Sequence, residues 1–233
     1  MKDFFAILGG MGTKATESFI KTLNTLTPAK KDQDYLNYIV FNHAEIPDRT
    51  NYILDHSQAD PWPYLKEDIL QINQLGAKFV LITCNTAHYF LPELKKLATM
   101  PILDMPKLAT TQAITTRPNQ KNLRIGILAT SGTIQTGIYQ KCIHELGQTA
   151  VIPDQDWQNK IMTLIYAEIK QEDKVNPAHY HELITYMLKD LNCDAVILGC
   201  TELSVAQERA PYQSAKVIDA QRVLAEKTIL MAK

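Results

Sequence analysis

Apolar residues recur along the chain in two alternating rhythms. Short apolar runs bounded by glycine or polar residues, at FFAIL (4–8), LNYIVF (36–41), KFVLIT (78–83) and PILD (101–104), predict strands. Between them, KATESFIKTLNTL (14–26), LKEDILQINQLG (65–76) and HYFLPELKKLA (88–98) place apolar residues every three or four positions. That period predicts amphipathic helices, the last beginning near Asn85. EIPDRT (45–50) and DPWPY (60–64) read as loop. Strand and helix in alternation predict an α/β fold with parallel sheets. The polar stretch TTRPNQKN (115–122) is the best internal boundary by composition, and beyond it the pattern starts again.

The restart is an internal repeat. AILGGMGTKAT (6–16) matches GILATSGTIQT (126–136), KFVLITC (78–84) matches DAVILGC (194–200), and PILDMPKLATTQAI (101–114) matches KVIDAQRVLAEKTI (216–229), with Asp104 opposite Asp219. Three blocks in the same order at nearly constant spacing indicate a duplicated chain. The expected organisation is two similar α/β domains related by pseudo-twofold symmetry. The N-terminal one is formed by 1–105 with a returning C-terminal helix at 220–233, and the other by 106–219. Each has a parallel sheet, and each has a thiol, Cys84 or Cys200, at the carboxyl end of the corresponding strand. Ligands of open parallel sheets bind outside those ends, so the expected site is a cleft between the halves.

Composition narrows the function. A chain of 233 residues, 45% of them hydrophobic, can bury a sizeable core. Its formal net charge is -1 and it has no Lys/Arg block, which argues against nucleic acid and anionic membrane as partners. The start, MKDFFAILGGMG, has neither a signal-peptide core nor a membrane-spanning length, so a cytoplasmic location is expected. Four cysteines lie far apart, without the spacing of a disulfide framework. Cys142 and Cys193 have no special context and are expected to be structural.

A helix start offers unpaired N–H groups and partial positive charge, which stabilise a thiolate and also bind a carboxylate. Two such thiols on opposite walls of a cleft suggest racemisation by two bases, one removing a proton and the other delivering one. A near-symmetric site suits mirror-image substrate and product. Other chemistries fare worse. GMGTKA from Gly10 fits a loose dinucleotide pattern, but no acidic residue ends the next strand, at IVFNH. GTK is not the G-K-[ST] of a phosphate loop, and no G-x-S-x-G is present. No C-x-x-C occurs, and His179 and His181 read as helix surface, so neither cofactor nor metal is expected.

GGMGTKAT (9–16), IPDRT (46–50), CNTAH (84–88) and GCTEL (199–203), taken together and in order, resemble the aspartate racemase branch of the cofactor-independent Asp/Glu racemase superfamily. The resemblance covers essentially the whole chain. The DSGxGG-like start and GCTHYP-like motif typical of glutamate racemases are absent. Thr13 stands where the family commonly has proline. The resemblance implies a homodimer acting without a cofactor on an acidic amino acid, most simply aspartate, with glutamate left open as a further substrate. It implies Cys84 and Cys200 as the proton-transfer pair. Asn85, Thr86 and Thr201 would bind the α-carboxylate, helped by Ser131, Gly132 and Thr133. Met11 would line the cleft, and Arg49 and Lys170 would hold the distal carboxylate. Glu202 is grouped with the substrate-binding residues, with a plain role at the positive end of a helix as its alternative. For Arg49 the alternative is a solvated loop charge, for Lys170 a place on a helix face. His88 either tunes the thiol of Cys84 or supports packing. The rival functions are a related isomerase or decarboxylase of a small dicarboxylic acid, and a non-catalytic amino-acid sensor.

Overall fold

The structure, a computed structural model, describes residues 1–233. The chain divides into two compact units, Met1–Met105 with Gln221–Lys233, and Pro106–Ala220. Thr115–Asn122 therefore lies inside the second unit, as the end of a helix and the loop after it, and the units divide upstream of it.

In the first unit the elements are β1 (Phe5–Gly9), α1 (Thr13–Leu26), β2 (Tyr38–Asn42), α2 (Arg49–Leu54), α3 (Trp62–Leu75), β3 (Val80–Ile82) and α4 (Leu91–Leu97). The three strands are parallel in the order β2-β1-β3. β1 and β3 are buried along their full length, as the unbroken apolar runs require. Leu65, Ile69 and Ile72 form one buried stripe of α3 and join the cluster that holds Ala6, Leu8, Val80 and Ile82. Each such side chain stabilises the unit by about 1.5–3 kcal/mol.

Three expectations are corrected here. EIPDRT and DPWPY are loop only in part: Asp48 caps α2 by accepting the Asn51 N–H at 2.9 Å, so helix starts at Arg49, and α3 starts at Trp62 within DPWPY. PILD is not a strand but a single parallel bridge, Val80 with Ile102. It is held by the Val80 N–H to the Pro101 carbonyl and the Leu103 N–H to the Val80 carbonyl, both 2.9 Å. After Cys84 the chain forms a 3-10 stretch, Thr86–Phe90, and α-helix begins only at Leu91. Pro92 has no N–H to give the His88 carbonyl, so one continuous α-ladder cannot run through both.

The second unit follows with α5 (Met105–Thr115), whose first residue belongs to the first unit, then β4 (Arg124–Leu128), α6 (Ser131–Thr136), α7 (Ile138–Glu145), β5 (Thr149–Val151) and α8 (Gln155–Met162). α8 continues as π-helix over Thr163–Gln171, and α9 (Pro177–Thr185) continues likewise over Tyr186–Asp190. β6 (Ala195–Leu198), α10 (Thr201–Arg209), β7 (Val217–Asp219) and α11 (Ala220–Ala232) complete the chain. The sheet is parallel in the order β5-β4-β6-β7. Tyr180, Leu183, Ile184 and Met187, at helical spacing, join the cluster of Val196 and Leu198.

Strand pairing follows the sequence repeat residue for residue. Ala6, Ile7 and Leu8 pair with Val80, Leu81 and Ile82, and their counterparts Gly126, Ile127 and Leu128 pair with Val196, Ile197 and Leu198. Even the lone Val80–Ile102 bridge has its counterpart in the Val196–Val217 pair of β6 and β7.

Candidate active site

The loop after β1 is shaped by glycine. Gly10 has φ +86°, and a Cβ there would lie 2.5 Å from the backbone of His43, so the turn admits no side chain. Thr16, one turn into α1, ties this loop to the end of β3. Its hydroxyl donates to the Gly12 carbonyl at 2.9 Å, accepts the Gly10 N–H at 3.0 Å and lies 3.1 Å from the Thr83 hydroxyl. Thr83 in turn donates its N–H to the Leu8 carbonyl at 2.9 Å. Cys84, the next residue, is thereby set at the carboxyl end of β3. Thr16 and Thr83 were missed as supports of the site, although Thr16 is one of the threonines shared by the repeat.

Cys84, Asn85, Thr86 and His88 are all buried. His88 serves packing: its Nδ1–H donates to the Cys84 carbonyl at 2.8 Å, and its Nε2 accepts the Met105 N–H at 3.2 Å. Because Nε2 is an acceptor, the ring is the neutral Nδ1–H tautomer. Burial holds its pKa below the ordinary imidazole value. Arg49 is no solvated charge, being 7% exposed. It donates from Nη1 to the carbonyls of Ile46 (3.1 Å) and Pro47 (2.9 Å), and from Nη2 to that of buried Met11 (3.0 Å). This brings Arg49 and Met11 together and joins α2 to the glycine turn. At the end of β2, His43 Nδ1 lies 2.9 and 3.0 Å from the two oxygens of buried Asp68 on α3, another pair sequence reading missed.

In the second unit β6 delivers the other thiol. Cys200 is the N-cap of α10, with extended backbone, and its carbonyl accepts the Leu203 N–H at 3.0 Å. Its sulfur does not cap the helix; it donates to Glu202 Oε2 at 2.9 Å. The Thr201 hydroxyl donates to the same oxygen at 3.3 Å. Lys170, in the π-helical stretch, stands 3.9 Å from Glu202 Oε1 and 4.2 Å from the centre of the Tyr166 ring. Burial, then the Glu202 carboxylate, push the Cys200 thiol well above its ordinary pKa, and Lys170 opposes them. A helix start was expected to favour the thiolate; here burial and a neighbouring carboxylate outweigh it.

Ser131, Gly132 and Thr133 open α6, which Thr130 caps by accepting the Thr133 N–H at 3.2 Å. The Ser131 N–H points to Met162 Sδ at 3.2 Å, so two of these three N–H groups are engaged within the unit. Gln158, 7% exposed, reaches the same loop and donates to the Ala129 carbonyl at 2.9 Å. Cys193 is buried behind β4 and pushed to a pKa of about 11 by burial, while Cys142 is half-buried. His179 and His181 are half-buried rather than free on the helix surface: His179 Nδ1 lies 2.6 Å from Glu168 Oε1, and His181 Nε2 lies 3.0 Å from the Ala210 carbonyl. No group of three or more His, Cys, Asp or Glu is arranged to hold a metal ion, and no helix is long and apolar enough to cross a membrane.

Parallel sheets, each ending in a thiol at the equivalent register, define a class that comparison with known proteins identifies. The profile of the Asp/Glu/Hydantoin racemase family matches residues 8–228, and the chain belongs to that family. It is an amino-acid racemase. The broad specificity amino-acid racemase RacX of Bacillus subtilis is 27% identical over 229 residues, which is 96% of this chain and 95% of the relative. The structure of Picrophilus torridus aspartate racemase superposes with a TM-score of 0.82 at 29% identity, covering 99% of this chain and 94% of that one. A glutamate racemase of Corynebacterium kroppenstedtii is 28% identical over 159 residues, 64% of this chain but only 53% of the relative. The chain thus matches about half the length of that relative.

Proposed function

We propose that the chain is a cofactor-independent aspartate racemase in which Cys84 and Cys200 are the acid–base pair. The observation that carries this reading is the matched register. Ile82 and Leu198 end strands paired to equivalent partners, and a cysteine follows each at the same distance, after Thr83 in one unit and Gly199 in the other. A duplicated framework that ends twice in a thiol supports a reaction needing an acid and a base of the same kind.

In the proposed step the thiolate of one cysteine takes the α-proton, and the C–H electron pair moves into the α-carboxylate. The thiol of the other then protonates the opposite face of the α-carbon. The centre is inverted, and the two sulfurs have exchanged protonation states. Asn85, Thr86 and Thr201 would hold the α-carboxylate as charge builds on it, aided by Ser131, Gly132 and Thr133. Arg49 and Lys170 would grip the β-carboxylate. An acidic substrate is supported by the similarity to the Picrophilus aspartate racemase along nearly the whole chain and by the burial of the Arg49 guanidinium. A wider substrate range is favoured by the Bacillus relative and by the three main-chain carbonyls that occupy Arg49.

Incubation of the purified protein with L-aspartate in heavy water tests the reading. D-aspartate carrying deuterium at the α-carbon is expected from the wild type and from Cys142→Ser and Cys193→Ser, and none from Cys84→Ser or Cys200→Ser. Racemisation of neutral amino acids with aspartate left untouched would transfer the assignment to the wider range. Full activity in either Cys84→Ser or Cys200→Ser would remove the two-thiol mechanism.

A further inference from the structure

In the second unit Cys200, Glu202 and Lys170 make contacts with one another that the proposed reaction does not use. We propose that Glu202 is a positioning residue that keeps the proton on Cys200 between turnovers, with Lys170 setting how firmly it is kept. The proposal rests on the two-thiol reading and adds to it a division of labour between the thiols.

The Cys200 thiol donates to Glu202 Oε2 at 2.9 Å, and the second oxygen of that carboxylate faces the Lys170 ammonium at 3.9 Å. Glu202 is 4% exposed and Cys200 5%, so water screens their mutual interaction little. A carboxylate in this position does two things to the thiol. It accepts the S–H proton, which fixes the direction of the bond. It also makes a thiolate the second negative charge in one buried place, which is costly. Lys170 draws on the far oxygen and relieves part of that cost. The charged groups acting on Cys200 are these two, and burial acts in the same direction as Glu202.

The arrangement is one-sided. Cys200-Thr201-Glu202 corresponds in the repeat to Cys84-Asn85-Thr86, so the first unit has a neutral threonine where the second has a carboxylate. The resting enzyme therefore holds its proton on Cys200, and Cys84 is the sulfur that supplies the base. A turnover from this state moves the substrate α-proton to Cys84 and the Cys200 proton to the α-carbon. Resetting returns one proton from water to Cys200 and releases one from Cys84, so protons balance. Because enantiomers are equal in energy, kcat/KM must be the same in both directions whatever Glu202 does. The asymmetry is visible in protonation, not in directional efficiency.

The test is a titration of the Cys200 thiolate by ultraviolet absorbance in the full chain. Each protein is compared with the same protein carrying Cys200→Ser. Glu202→Gln keeps an acceptor but loses the charge, and should lower the Cys200 pKa by roughly one unit or more. Lys170→Met should raise it. Opposite displacements are the signature, since a merely structural disturbance gives neither sign reliably. Two unmoved titrations, or two moving the same way, overturn the proposal. Should Glu202→Gln fail to fold, Lys170→Met alone decides, and an unmoved titration there overturns it. L-aspartate racemisation by the wild type, measured in parallel, separates this inference from the reading beneath it. Opposite displacements without turnover uphold the thiol–carboxylate device and reject the aspartate racemase. Turnover with unmoved titrations does the reverse.

Discussion

Replacing His88 by leucine removes one side chain that satisfies two buried main-chain groups. The Cys84 carbonyl loses its 2.8 Å donor and the Met105 N–H loses its 3.2 Å acceptor. Each group left unpaired costs about 1–3 kcal/mol, so His88→Leu should cost about 2–6 kcal/mol, less about 1 kcal/mol regained by the apolar side chain. The pH dependence gives an independent check. Burial keeps the folded-state pKa of His88 below its value in the unfolded chain, with Lys95 acting the same way and Asp104 against. As pH falls through about 6.5, the unfolded imidazole takes a proton that the folded one refuses. The unfolded state is favoured, and stability is lost on the acid side only, until the lower folded-state pKa is reached. Between about pH 7.5 and about pH 5.5 this contributes a loss of up to about 1.4 kcal/mol in the wild type and nothing in His88→Leu. Urea unfolding followed by far-ultraviolet circular dichroism at the two pH values measures both quantities. A variant within about 0.5 kcal/mol of the wild type at neutral pH would refute the account of the two hydrogen bonds. An undiminished acid loss in the variant would refute the account of the buried neutral imidazole.

Two further outcomes follow from the first unit. Gly10→Ala should lose about 2–5 kcal/mol of stability in the same urea assay, because φ +86° is strained for alanine and its Cβ would lie 2.5 Å from the His43 backbone; a loss under about 1 kcal/mol would mean that the turn yields. Arg49→Ala should lower kcat/KM for aspartate about tenfold to a hundredfold. Arg49→Lys should restore only part of it, because one ammonium cannot reproduce a planar fork spanning the Ile46, Pro47 and Met11 carbonyls. Full wild-type activity in Arg49→Lys would place the role of Arg49 in charge alone.

The strands were legible because their burial is written as unbroken apolar runs, and the repeat gave even their pairing: matching AILGG to GILAT and KFVLITC to DAVILGC is enough to align the register of β1–β3 with that of β4–β6. Helix starts were less legible where a single residue decides. Asp48 turns IPDRT into the start of α2, and Pro92 splits the segment after Cys84, although the hydrophobic period hardly changes at either place. The candidate site was readable in its residue types but not in their mutual bonding. Nothing in GCTEL says that the glutamate faces back to the cysteine, or that Lys170, far away in sequence, approaches its other oxygen. Nor does the burial of Arg49 or the Asp68–His43 pair follow from spacing, since both depend on segments brought together only by the fold.

The first unit is not a continuous stretch of chain: α11 closes it from the far end, with Gln221 Nε2 donating to Ser18 Oγ at 3.3 Å and Lys233 Nζ to the Pro28 carbonyl at 3.0 Å. Pro106–Ala220, by contrast, is uninterrupted. During synthesis the ribosome releases every residue of the second unit before the last helix of the first has left the exit tunnel. The nascent N-terminal half must therefore wait, its sheet formed or forming, for a partner more than a hundred residues downstream, while the half made later needs nothing further to be complete. The order of birth along the chain and the order in which the units can be finished are opposite, and α11 is the piece that imposes the reversal.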